Sequence, residues 1–320
     1  MSTTTIEWTD RVWNPVTGCT KVSPGCEHCY IERQAPLRMA GRGFDRHGIG
    51  ATTGVVLHPE RLGVPAGWRQ PRRIFVCSMA DLFHDDVPDG FIARVFTAMA
   101  MAPWHTFQVL TKRPTRMRSF LARWYDNTGD AAVDARARGA LPPMPRGPEA
   151  VRATYRSPRA ALFADMLDSM GTPPEGAAYP LYDWAEGQMW WPTSPLPNVW
   201  VGVSTENQRW ANIRIPELLR TPAAVRWISA EPLLGPLDLE PWLDPDAACE
   251  RCDGEYEHAC RSCPLDKAVI LGEDFNELTG HQPIRHVDWV VVGGESGPGS
   301  RPMNPRWARS LRDQCRRGGI

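Results

Sequence analysis

Three cysteines near the N-terminus carry the sharpest chemical signal in the chain. Residues 17–30 read TGCTKVSPGCEHCY, which places Cys19, Cys26 and Cys29 in a C-x6-C-x2-C pattern followed by Tyr30. Clustered thiolates suit soft metals, iron–sulfur clusters and zinc above all. Three ligands instead of four would leave one iron of a four-iron cluster open to a ligand, as a catalytic centre requires. Gly18, Pro24 and Gly25 let a backbone wrap around a bulky cluster. The competing reading is a structural zinc site, with His28 or a distant histidine as fourth ligand.

Four further cysteines, Cys249, Cys252, Cys260 and Cys263, form C-x2-C-x7-C-x2-C. Two such pairs a hairpin apart close a tetrahedral zinc site, and the same four thiolates also suit an auxiliary iron–sulfur cluster. The charges around them are mixed and demand no nucleic acid contact. Cys77 and Cys315 stand alone and read as small packed hydrophobes.

The elements that must position these groups are short apolar runs alternating with helical patterns. Strands are expected at residues 12–17, 73–78, 106–111, 199–203, 225–229 and 287–292. Nearly continuous apolar runs of this kind are those of parallel strands covered on both faces. Asp89 is expected to cap a helix burying Phe91, Ile92, Val95, Phe96 and Met99, and Pro114 to begin one burying Met117, Phe120, Leu121 and Trp124. Helical patterns at residues 210–219 and 305–315 follow the fourth and sixth strands. The alternation argues for an α/β fold: a single domain over residues 1–320, a partial (β/α) TIM-type barrel of about six parallel strands. Residues 126–197, rich in Pro, Gly, Ala and Arg, and residues 237–286, with the four-cysteine knuckle, read as insertions.

Polar residues recur just after the strands. Ser78 and Asp81 follow the second, Lys112 and Arg113 the third, Ser204, Glu206 and Asn207 the fourth, Glu231 the fifth, and Gly293, Gly294 and Glu295 the sixth. In a barrel all of these converge on one mouth. Ser78, Asp81, Lys112, Ser204, Asn207, Glu231, Gly293, Gly294 and Glu295 are therefore candidate cofactor-binding residues, each with an alternative as a cap or loop hydrogen bond. Asp85 and Asp86 read as surface charges, and Trp8 and Trp13 as shielding or core residues or as a stacking platform for a base. No residue is singled out as catalytic.

The bulk numbers bound the rest. The chain has 320 residues and a net charge of −1, which gives no global electrostatic case for nucleic acid or membrane. No apolar run approaches the roughly 20 residues that span a bilayer. Residues 1–10 lack the pattern of a signal peptide, so a cytoplasmic location is expected.

Six segments together resemble a known family: WNPVTGCTKVSPGCEHCY, CSMADLFHDDVP, VLTKRP, VWVGVSTEN, ISAEPLLGP and VVVGGESGPGSRPM. They are similar to a phage-associated, radical-SAM-like family widely described as a domain of unknown function, within the radical S-adenosylmethionine superfamily. The first cysteine gap is six here, where the wider superfamily usually has three. The resemblance implies a partial barrel with a 4Fe–4S cluster on Cys19, Cys26 and Cys29. It also implies a bound S-adenosylmethionine, a flavodoxin- or ferredoxin-like electron donor and a setting in a bacterium or phage-infected host. It further implies isomerisation or another modification of a hypermodified thymidine in phage DNA. The alternatives are a non-enzymatic zinc protein facing nucleic acid, and a barrel that binds the cofactor without turnover.

Overall fold

The computed structural model describes residue 4 and residues 6–125, 164–165, 182–183, 188–189, 195–243, 286–296 and 299–320. Its strands are β1 (Arg11–Trp13), β2 (Val16–Thr17), β3 (Val56–Leu57), β4 (Arg73–Val76), β5 (Thr106–Thr111), β6 (Tyr182–Asp183), β7 (Gln188–Met189), β8 (Val199–Ser204), β9 (Val225–Ala230) and β10 (Trp289–Val292). The helices are α1 (Ala35–Met39), α2 (Asp89–Ala100), α3 (Pro114–Tyr125), α4 (Gln208–Leu219), α5 (Glu240–Leu243) and α6 (Pro305–Arg317).

Six strands form one sheet in the order β1-β4-β5-β8-β9-β10, and every pairing in it is parallel. Each new strand is added beside the previous one, so the sheet is wound in a single direction. It is open: β1 and β10 are its edges. The expected first strand over residues 12–17 is instead two. Asn14 and Pro15 interrupt it, because proline has no N–H to give to a ladder. Beyond them β2 leaves the sheet and pairs antiparallel with β3.

One face of the sheet carries the aliphatic core. Ile74, Val76, Phe107, Val109, Val199, Val201 and Val203 pack against α2, α3 and α4. The predicted faces of α2 and α3 are all buried there. Each such side chain contributes about 1.5–3 kcal/mol on burial. Asp89 does not cap α2. Pro88 occupies the N-cap, and Asp89 pairs with Arg116 at 3.0 Å and Arg123 at 2.6 Å, locking α2 to α3. Residues 237–243, placed by sequence in the second insertion, belong to this core through Leu237, Leu239, Trp242 and Leu243.

The opposite face is aromatic. Register puts Gly202 beside Trp227 and Trp227 beside Trp289. A Cβ on Gly202 would lie 2.5 Å from the Trp227 ring, so only glycine lets that indole lie flat across the neighbouring strand. The segment before β1 packs onto this face. Trp8 stands with ring centroids 4.8 Å from Phe75, 5.2 Å from Trp227 and 6.0 Å from Trp289. Phe75 and Trp289 lie on strands four places apart, about 19 Å in a flat sheet. One indole touches both, so the sheet curves around Trp8.

No described helix is long and apolar enough to cross a membrane.

Candidate metal and cofactor site

The cysteine loop lies over the C-terminal ends of the parallel strands, the end at which α/β folds place their ligands. A parallel bridge joins Gly18 to Ala80, just past β4, and Gly18 N donates to Met79 O at 2.9 Å. Gly18 has φ +88°, and a Cβ there would fall onto the carbonyl oxygen of Gly54. Gly18→Ala is therefore expected to destabilise the protein by about 1–3 kcal/mol and to displace Cys19. Urea unfolding checks this, and an unchanged midpoint would refute it.

Cys19, Cys26 and Cys29 are free thiols, each partly exposed. Burial, with lesser contributions from Asp81, Cys26 and Cys29, pushes the Cys19 thiol up to about 12, while Arg113 opposes the rise. Burial likewise raises Cys29, and Cys26 adds to it. The three sulfurs thus sense one another electrostatically. As placed, no three His, Cys, Asp or Glu side chains among the described residues stand close enough to hold a metal ion. The donor set nevertheless fits an iron–sulfur cluster: three soft thiolate donors on one glycine- and proline-bearing loop, with a guanidinium at hand to offset their charge.

Three charged clamps hold this loop. Arg113 is the first. Its Nη1 lies 3.0 Å from Asp81 Oδ2 and 3.9 Å from Cys19 Sγ, and its Nη2 donates to Thr20 O at 3.2 Å. The second is a buried pair, Arg214 Nη1 to Glu206 Oε2 at 2.8 Å, with the other Glu206 oxygen accepting from Gly25 N at 3.3 Å. The third is Arg301. It bonds Glu295 Oε2 at 2.9 Å, Glu27 Oε2 at 2.9 Å and Pro24 O at 2.8 Å. Reading from sequence missed Arg214, which lies in no recognised motif, and Arg301, which lies in the last of the six resembling segments but had no role assigned to it. It also missed His84, whose Nε2 lies 2.8 Å from Thr20 Oγ1.

The candidate ligand-binding residues divide into two groups. Several are committed within the protein. Asp81 accepts from Thr111 Oγ1, Lys112 N, Phe83 N and Arg113, so it orders the rim and has little capacity left for a ligand amine. Ser204 is fully buried and donates to Glu231 O at 3.0 Å. Asn207 caps α4, accepting from Trp210 N. Ser78 donates to Asn14 Oδ1 at 3.2 Å, and its carbonyl accepts from Tyr30 OH at 2.6 Å. Glu295 is held by Arg301. These five are better explained as positioning groups.

Lys112, Glu231, Gly293 and Gly294 form the second group. Among the described residues the Lys112 ammonium has no hydrogen-bond or ion-pair partner. Among the described residues the Glu231 carboxylate receives only long bonds, from Trp8 Nε1 at 3.3 Å and Ser229 Oγ at 3.4 Å. Burial raises its carboxyl above the usual range, and Lys112 is close enough to oppose the shift. Any Cβ on Gly293 would strike the Glu231 carboxylate, so glycine keeps that carboxylate accessible from the strand end. Gly294 is exposed beside Met303.

Trp13 is buried, with its Nε1 donating to Arg61 O at 2.8 Å, and serves the core. Trp8 fills the curved face below Glu231. Neither stands as an open stacking platform. Asp85 and Asp86 are surface charges, Cys77 is buried, and Cys315 packs against the core. The four-cysteine cluster at Cys249, Cys252, Cys260 and Cys263 lies outside the described residues. A cleft of about 220 Å³ lined by Arg11, Trp68, Arg69 and Arg72 lies at the other end of the strands, where β1 and β4 begin.

Neither the curated proteins nor the solved structures contain a match to this chain. The family described as a protein of unknown function (DUF5131) matches over residues 3–320. With nearly the whole length matched, the chain belongs to the DUF5131 family.

Proposed function

We propose that the protein is a radical S-adenosylmethionine enzyme built on a partial (β/α) barrel, acting on a modified base in DNA. One observation carries this reading. Three free cysteines on one loop are clamped over the C-terminal ends of a singly wound, curved parallel sheet, beside an uncommitted lysine and a half-buried carboxylate. A purely structural metal site needs no such mouth. The choice of a modified thymidine rests on the resemblance of the six sequence segments, and a flavodoxin- or ferredoxin-like donor follows from the electron that the chemistry consumes.

Cys19, Cys26 and Cys29 would hold a 4Fe–4S cluster with one iron open. With S-adenosylmethionine bound beside it, such a cluster would supply one-electron radical chemistry to the substrate. The chain's own residues do the rest. Arg113 offsets negative charge at Cys19 and fixes Thr20. Lys112 offers an unpaired ammonium to a carboxylate of the methionyl group or to a substrate phosphate. Glu231 offers a carboxylate to an amine or to ribose hydroxyls. Trp8, Trp227 and Trp289 close the floor of the curved face, which keeps bulk water from reaching the mouth through the sheet.

Lys112→Ala is expected to weaken S-adenosylmethionine binding about tenfold or more, the scale of one lost charge-assisted hydrogen bond. The melting temperature should not change, since the ammonium supports nothing else. Equilibrium dialysis with the reconstituted protein reads this, and equal affinities would remove Lys112 from the site.

The reading as a whole is tested by purifying the protein without oxygen, reconstituting it with iron and sulfide, and adding dithionite and S-adenosylmethionine. Release of 5′-deoxyadenosine is the expected result. Zinc in place of iron, with no cleavage, would leave a structural, non-enzymatic protein.

A further inference from the structure

The last helix carries an unexplained concentration of charge. The α6 sequence, PRWARSLRDQCRR, has arginines at 306, 309, 312, 316 and 317 and one acid, Asp313. At 3.6 residues per turn the five arginines fall within an arc of about 140°. All five are exposed. Arg312 pairs with Asp313 at 2.7 Å, and Arg317 pairs with Glu240, both on the surface where such pairs contribute little. Arg306, Arg309 and Arg316 have no partner among the described residues.

The other side of α6 is fully committed. Leu311 is buried, Trp307 packs against the core, and Gln314 bonds both Leu237 O at 2.9 Å and Leu239 N at 2.7 Å. The helix therefore has no free apolar side to lay into a lipid surface, as an interfacial helix must. What it presents is a rigid row of guanidinium groups. Such groups match the oxygens of a phosphate in pairs and suit a polyphosphate backbone better than a single small anion.

The position is also informative. Asn304 caps α6 directly after the segment in which Arg301 clamps the cysteine loop, and Met303 lies beside Gly294 at the mouth. From Arg306 to Arg316 the row runs about 15 Å, roughly four nucleotide steps along one strand.

We propose that the arginine face of α6 is a docking track for the sugar–phosphate backbone of a nucleic acid, leading to the mouth under the cysteine loop. The inference rests on the proposed function for what happens at the mouth, but binding itself can be tested without it. The contacts are to phosphate, so binding is insensitive to sequence and strongly salt-dependent.

The test is fluorescence anisotropy of labelled single-stranded and duplex DNA titrated with the full chain over a range of salt concentrations. The triple variant R306Q/R309Q/R316Q is expected to bind at least about tenfold more weakly. Its slope of log affinity against log salt should be shallower by about two to three. The single variant R309Q, which disturbs no contact, should lower that slope by about one. Triple and single variants that match the unaltered protein in affinity and slope would overturn the proposal. So would failure of the unaltered protein to bind DNA, or equal, arginine-dependent binding to phosphatidylglycerol vesicles. Assaying 5′-deoxyadenosine on the same preparations separates the two claims. Lost DNA binding with cofactor cleavage retained supports both. Arginine-dependent DNA binding by a protein that never cleaves S-adenosylmethionine upholds the track and rejects the radical reading.

Discussion

Cys26→Ala and Cys29→Ala are each expected to abolish 5′-deoxyadenosine formation and to strip the reconstituted protein of most of its iron. A 4Fe–4S cluster already short of one protein ligand cannot afford to lose a second. The loss should exceed a hundredfold, since no other described thiol can substitute. Cys77 is buried beneath the loop in the hydrophobic core, and Cys315 lies on α6. Cys315→Ala is the matching control and should retain both iron and activity. The expected pattern is a sharp division between the loop cysteines and the isolated one. Equal iron in all three variants would place the iron elsewhere in the chain, and the mouth would lose its assigned role.

Arg214→Ala should destabilise the protein by about 3–5 kcal/mol, because it leaves Glu206 as an unpaired charge in the interior. Glu206 is 0% exposed and the Arg214 side chain 1% exposed. The effect should reach the loop as well, since the second Glu206 oxygen holds Gly25 N. Urea unfolding measures the first consequence, and iron content after reconstitution the second. The double variant Glu206→Gln/Arg214→Met removes both charges together. It should recover much of the stability and less of the iron, because the amide binds Gly25 more weakly than a carboxylate does. A single-variant cost below about 1 kcal/mol would show that water reaches the pair.

Much of the scaffold was legible because each element carries its own signal. Residues 106–111 and 225–229 are apolar runs long enough to be strands and too short to be helices, and they proved to be β5 and β9 with little change. The helices α2 and α3 bury the residues that a 3.6 period selects. Residues 12–17 read as one strand on apolar content alone, but Pro15 offers no N–H to the ladder and the run divides into β1 and β2. The packing of Trp8 against strands four places apart could not be read from any local pattern, since it depends on how far the sheet curves. The same holds for the site. The cysteine spacing and the polar strand ends were visible as residue types. Which of those polar groups stay available was not, because Asp81 and Ser204 are engaged by partners that only the fold brings near, while Asn207 and Glu295 are taken up by close neighbours in the chain, Trp210 N and Arg301. Arg214 sits in helix α4 with nothing in sequence to mark it, and Arg301, though inside a resembling segment, shows its hold on the loop only once the fold brings Pro24 and Glu27 to it.

The loop cysteines are proposed to hold a cluster with one iron left open to a ligand inside the mouth. Electron paramagnetic resonance of the dithionite-reduced protein, recorded before and after addition of S-adenosylmethionine, tests it most directly. The expected result is the signal of a reduced four-iron cluster whose shape changes when S-adenosylmethionine is added, and neither signal nor change in Cys29→Ala. A silent, zinc-loaded protein, or a cluster signal indifferent to S-adenosylmethionine, would contradict it.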